Sequence, residues 1–143
     1  MENEVLLDIE NIEMQYKPNL TIFNNISFQI KQGEFVCIYG SNGCGKSTIL
    51  NIIAGLLKPT TGTVTFEKKM VFSPIKDISI IMQELLLFDW LSVYDNIAFG
   101  LNASRKNKEE VKDIVNMWIR KLNLEGYEKH YPFELSGGMK QKV

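Results

Sequence analysis

This chain has little to bridge or to coordinate with: two cysteines, Cys37 and Cys44, and one histidine, His130, in 143 residues. That excludes a disulfide framework and any zinc site built on repeated Cys and His ligands. It lacks charge of one sign. Sixteen Lys and Arg stand against seventeen Asp and Glu, so no electrostatic argument favours nucleic acid as a partner. It also lacks a long apolar run, because Gln83, Glu84 and Asp89 interrupt its most apolar stretch, and no segment reaches the length of a membrane span. The acidic start, Met1-Glu-Asn-Glu-Val-Leu-Leu-Asp8, has neither the basic region nor the apolar centre of a signal peptide. Repeats and low-complexity tracts are missing as well. What is left is an ordinary globular composition, 45% apolar and 23% charged, at the size of one domain, expected in the cytoplasm.

What the chain does have is Gly40-Ser-Asn-Gly-Cys-Gly-Lys46-Ser47-Thr48. This fits G-x-x-x-x-G-K-[ST], a loop that cradles phosphates. Its setting suits the chemistry. Glu34–Tyr39 before it is a short apolar run that reads as a buried strand, with Cys37 inside it. Ser47–Pro59 after it reads as a helix that Pro59 helps to close. Gly40, Gly43 and Gly45 let backbone N–H groups approach phosphate oxygens, with Ser41, Asn42 and Cys44 between them. The helix start adds further N–H groups and the positive end of its dipole. Lys46 is expected on the β- and γ-phosphates of a nucleotide, and the Ser47 hydroxyl on Mg²⁺.

Around this loop the pattern predicts strands over Val5–Glu13, Ile22–Ile30 and Thr63–Glu67, with turns at Lys17–Asn19, Lys31–Gly33 and Pro59–Gly62. Lys68–Lys76 reads as a loop or hairpin, and Asp77–Met82 as a further strand. Ser92–Gly100 reads as a short helix. Lys108–Leu122 is the clearest helix, since Val111, Ile114, Val115, Trp118, Ile119 and Leu122 recur at steps of three and four. Its Trp118 is expected in the core. Near the end, Leu135-Ser136-Gly137-Gly138-Met139-Lys-Gln141 places a hydroxyl and two glycines at an apparent helix start, again an anion-binding geometry.

Taken together, the loop, Gln83 after an apolar run, and Leu135–Gln141 resemble the nucleotide-binding domain of ABC transporters, in that family's order and across the whole chain. The resemblance implies an α/β fold of the phosphate-loop NTPase type, with a parallel core sheet and flanking helices, an N-terminal antiparallel β subdomain and a helical subdomain. Residues 1–82 would form the β subdomain and loop core, and 83–143 the helical part. It implies ATP and Mg²⁺ as cofactors, with Tyr16 stacked on adenine, residues 40–48 on the phosphates, and Gln83 at the Mg²⁺ shell. Ser136, Gly137, Gly138 and Met139, which resemble the family's signature motif, would cap a nucleotide bound by a second nucleotide-binding subunit in a head-to-tail dimer. Phe88 and Trp90, beside Gln83, are candidates for docking a transmembrane permease subunit, which would hold the protein on the inner face of the membrane and work with an external solute-binding protein.

Leu85–Leu101 and Met139 are similar to importers of nitrate, sulfonates and taurine, although Asp89 stands where those relatives often have Pro. The family's apolar strand ending in Asp-Glu, and its switch histidine, come after the signature, and no stretch up to Val143 substitutes for them; His130 precedes the signature. The expectation is therefore an N-terminal part of such a subunit, poor at hydrolysis and marginal in stability as an isolated polypeptide. The competing expectations are a defective fragment and a soluble ABC ATPase.

Overall fold

The computed structural model describes residues 4–104 and 106–143, and the chain forms two units, Met1–Ile81 and Met82–Val143. The first is a four-stranded antiparallel sheet with one helix. Strands β1 (Val5–Lys17) and β2 (Leu20–Lys31) make a hairpin across Pro18 and Asn19. Strand β3 (Thr61–Phe66) pairs with the other side of β1, and β4 (Lys69–Met70) with β3, for a spatial order β2-β1-β3-β4. The β3–β4 turn is Glu67-Lys68, both at positive φ (49° and 64°), the pairing that matches strand twist in a two-residue hairpin.

The loose alternation of β1 has a cause in the backbone. Asn11 sits at φ 49°, and the β1–β2 register shifts between Ile9 and Ile12. One extra residue there resets the period of two. Leu7, Ile9, Ile12 and Met14 therefore all fall in one core with Phe23, Val64 and the helix residues Ile49 and Ile52. The helix, α1 (Lys46–Ile53), ends earlier than the sequence suggests. Pro59 does not close it; Gly55 does, at φ 71°, with its N–H donating to the Ile52 carbonyl at 3.0 Å. This is the left-handed stop that glycine makes at low cost.

Two expected strands are corrected here. Residues 34–40 and 77–82 carry no strand pairing. Phe35 is 95% exposed, Tyr39 and Ile81 are each 97% exposed, and Cys37 is exposed rather than buried. Their apolar, β-branched composition favours an extended backbone, but a ladder needs a neighbour to exchange hydrogen bonds. Among the described residues none offers one.

The second unit is helical. Helix α2 (Val93–Ala103) is capped by Ser92, whose Oγ accepts from the Asp95 N–H at 3.1 Å. Helix α3 (Lys108–Lys121) is capped by Asn107, whose Oδ1 accepts from the Glu110 N–H at 2.7 Å. Glu109 and Glu110 lie in its first turn and Arg120 and Lys121 in its last, the charge order its dipole favours. Val111, Val115 and Ile119 of α3 are buried with Val93 and Ala98 of α2 and with Leu124 and Leu135. Trp118 departs from expectation: it is 44% exposed, with the Lys121 ammonium 5.2 Å from its ring centre. It sits at the margin of the apolar stripe, where a wide ring can cover the helix while one face stays wet. A 3-10 turn (Pro132–Glu134) leads to the short helix α4 (Gly137–Lys142). No described helix is long and apolar enough to cross a membrane.

Candidate nucleotide site

The loop over residues 40–45 delivers the chain directly into α1. Gly45 makes the entry possible. It is buried at φ 98°, and a Cβ there would lie 2.7 Å from Ile22 and 2.8 Å from Phe23. The loop is thus pressed against the core of the first unit by a residue that must have no side chain. Ile22 and Phe23 belong to β2, so the hairpin forms the back wall of the loop.

On the other side of the loop the polar groups are open. The first amide of α1 to find a backbone carbonyl is that of Ile49, which donates to Gly45 at 2.9 Å. The N–H groups of Gly43, Gly45, Lys46, Ser47 and Thr48 have no acceptor among the described residues. Unsatisfied donors at a helix start, with the dipole behind them, form an anion site. Lys46 folds back over the loop, and its Nζ donates to the carbonyls of Gly40 (2.9 Å) and Ser41 (2.8 Å). Its third proton faces only the Cys44 sulfur at 4.0 Å, a weak acceptor. An arriving phosphate oxygen would displace the weakest of these contacts.

A cleft of about 200 Å³ opens over these groups, lined by Tyr16, Ile22, Gly43 and Gly45 through Thr48. Tyr16, the last but one residue of β1, is 55% exposed, and its hydroxyl lies 3.4 Å from that of Thr48, which is buried. The donor set fits a polyphosphate: five amides and one ammonium, with an aromatic ring at the rim. It fits Mg²⁺ only beside that phosphate. Ser47 supplies one exposed hydroxyl, and no group of three or more His, Cys, Asp or Glu among the described residues could hold a metal. Mg²⁺ bound mainly by phosphate oxygens and water needs no more than this.

The remaining sequence candidates lie in the second unit. Gln83 is exposed in an irregular segment. Ser136 caps α4, its Oγ accepting from the Met139 N–H at 3.3 Å. Gly137 and Gly138 stand exposed, with nothing within 4 Å of where a Cβ would be. His130 is half-buried; its ring packs on Tyr127 at 5.1 Å and its carbonyl accepts from the Val93 N–H at 2.8 Å, so its role here is in packing. Glu128, two residues earlier, is held below the usual carboxylate range. Backbone N–H groups cause this, its own and that of Gly126 at 3.1 Å, with a smaller contribution from His130.

Phe88 stacks obliquely between Trp90 (5.3 Å) and Phe99 of α2 (4.4 Å), and Trp90 is 73% exposed. One organiser of this segment is absent from the sequence reading. Asn96 of α2 accepts from the Phe88 N–H at 2.9 Å, and its two amide protons are shared among the carbonyls of Phe88 (3.2 Å), Leu91 (3.0 Å) and Ser92 (3.0 Å). Only its place between two aromatic-rich stretches hinted at this.

Comparison with known proteins agrees with this geometry. The family described as ABC transporter matches residues 23–143. A spermidine/putrescine import ATP-binding protein, PotA, of Mycoplasma capricolum is 42% identical over 100% of this chain and 41% of its own length. An aliphatic sulfonates import ATP-binding protein, SsuB, of Bacillus cereus is 44% identical over 85% of this chain and 47% of its own. The chain thus spans under half the length of these relatives. Among solved structures, a dimeric ATP-binding cassette in a post-hydrolysis state with ADP and Pi superposes with a TM-score of 0.79. It is 29% identical, over 96% of this chain and 66% of that one. A component of an ABC transporter complex from Clostridium perfringens gives 0.80 at 27% identity, over 97% and 59%.

Proposed function

Because the chain belongs to the ABC transporter family, we propose that it forms the nucleotide-binding part of an importer's ATP-binding subunit, coupling ATP binding and hydrolysis to solute uptake. One observation carries the reading: five unpartnered amides and Lys46 converge on a cleft whose back wall, Ile22 and Phe23, tolerates no side chain at Gly45. The amides of Gly43 and of Gly45 through Thr48 hold phosphate oxygens, Lys46 neutralises the terminal ones, and Tyr16 takes the adenine ring on its open face. Ser47 would contribute a hydroxyl to Mg²⁺ held beside those phosphates. Mg²⁺ bound there supplies charge neutralisation of the phosphates.

Ser136 through Met139 act on the nucleotide of a second subunit. Glycines are poor helix formers, and nothing among the described residues fills the space at Gly137 and Gly138; close approach from outside would account for both. Gln83, Phe88 and Trp90 face a permease subunit at the cytoplasmic side of the membrane. For the solute, the similarity of Leu85–Leu101 to sulfonate-type importers supports a small anion, as do the sulfonate-importing relatives. The polyamine-importing relatives support a cation equally.

Titration calorimetry of Mg·ATP into the purified chain, with Lys46→Ala as control, tests the reading. Saturable binding that the variant loses is expected. Binding unchanged in Lys46→Ala, or absent from a folded chain, overturns it.

A further inference from the structure

The face around Trp90 has a charge as well as an aromatic character. From Met82 to Ser104 there is no Lys or Arg, although the chain has sixteen. The same stretch holds Glu84, Asp89 and Asp95, all exposed and none in an ion pair among the described residues. It also exposes large apolar side chains, Leu86 at 64%, Trp90 at 73% and Phe99 at 51%, and the Phe88 ring joins Trp90 (5.3 Å) to Phe99 (4.4 Å). Large apolar side chains clustered within a polar rim mark a binding surface. Nor is the surface slack, because the Asn96 side-chain amide fixes the backbone from Phe88 to Ser92.

The second tryptophan of the unit shows what is missing. Trp118 carries the ammonium of its own Lys121 at 5.2 Å, the arrangement in which a ring's negative face holds a cation. Trp90, more exposed, has no such cation among the described residues.

We propose that this acid-flanked aromatic face binds a cationic amphipathic segment of a partner protein, apolar residues interleaved with Lys or Arg, one cation lying over the Trp90 ring. Asn96 is the positioning residue that holds Phe88 and Trp90 in place for it. This rests on the permease-docking reading above and adds the chemistry of the segment that docks. An anionic or purely apolar segment would leave Glu84 and Asp89 repelled or unpaired.

The test uses the 143-residue chain with Trp118→Phe, so that emission reports Trp90 alone, and two synthetic peptides of about 15 residues. Both carry the same helical leucine pattern, one with Lys between the leucines and one with Glu. The Lys peptide is expected to shift Trp90 emission, to bind less tightly as salt rises, and to lose about three- to tenfold in affinity with Glu84→Gln/Asp89→Asn. Asn96→Ala and Asn96→Asp should weaken it similarly with helix content unchanged by circular dichroism. The Asp variant keeps the acceptor for Phe88 but sets oxygen against three carbonyls.

Equal binding of both peptides overturns the proposal, as does indifference to Glu84→Gln/Asp89→Asn. So does a Trp90 shift driven by self-association or by anionic vesicles. Mg·ATP calorimetry on the same sample separates the two readings. Peptide binding without nucleotide binding counts against the ATP-subunit function alone, and the reverse counts against the docking face alone.

Discussion

At Gly45 an added Cβ would lie 2.7 Å from Ile22, whereas at Gly137 and Gly138 it would meet nothing within 4 Å. Both places are helix starts with glycine and a hydroxyl residue at hand, and from sequence they look alike. In the first unit the glycine is demanded from behind, by the core that supports the loop. In the second no contact among the described residues demands it. Glycine that no contact among the described residues requires, in a helix it weakens, is what the proposed approach of a second subunit would call for. The first motif can be tested as part of this chain's stability; the second has to be tested through the proposed second subunit.

The largest effect should come from Lys46→Ala, which removes the ammonium from a site of otherwise neutral donors. A loss of about 2–5 kcal/mol in Mg·ATP binding is expected, read by calorimetry. Gly45→Ala follows. It adds left-handed strain to a clash with Ile22 and Phe23, and should lower stability by about 2–4 kcal/mol in denaturant melts. Nucleotide binding should fall with it. Asn107→Ala serves as a second-unit standard; loss of the α3 cap should cost about 1 kcal/mol, seen as a lower Tm, with nucleotide affinity unchanged. Gly138→Ala would break the comparison if it behaved like Gly45→Ala. The expected result is unchanged or slightly raised stability, by up to about 1 kcal/mol, with unchanged nucleotide affinity in the monomer and loss only of ATP-driven dimerisation in sedimentation.

The smallest effects concern pH. Glu4 is held below the usual carboxylate range, first by its hydrogen bond to Lys68 at 2.6 Å and then by that charge; Glu128 is held down by backbone N–H groups. A carboxylate whose folded pKa is depressed stabilises the fold above its ordinary value and loses that contribution as pH falls through the depressed one. Tm should therefore decline with acid below the ordinary carboxylate range, and Glu4→Gln or Glu128→Gln should each flatten part of that decline. Salt should weaken the Glu4 contribution and leave that of Glu128, because only the former rests on an exposed ion pair.

Much of the site was legible because its chemistry is local. The loop, its lysine and the helix after it are consecutive residues, so spacing alone sets their geometry. The period of α3 was legible for the same reason. Other features depend on partners distant in sequence or on backbone detail. Glu34–Tyr39 has the composition of a buried strand, but composition does not supply the neighbouring ladder. Trp118 falls on the apolar period yet sits at its margin, because a stripe has a width that residue spacing does not show. Asn96 looks like any polar helix residue until the Phe88–Ser92 backbone is seen folded onto it.

By itself, then, the sequence determined the anion-binding loop, the helix periods and the family, since each follows from residues within a turn or two of one another. Tertiary structure alone decided where β1 shifts its register at Asn11, which apolar runs are covered, and which glycines have something behind them. Those depend on what a residue meets across the fold, and a Cβ at Gly45 or at Gly138 differs only in that.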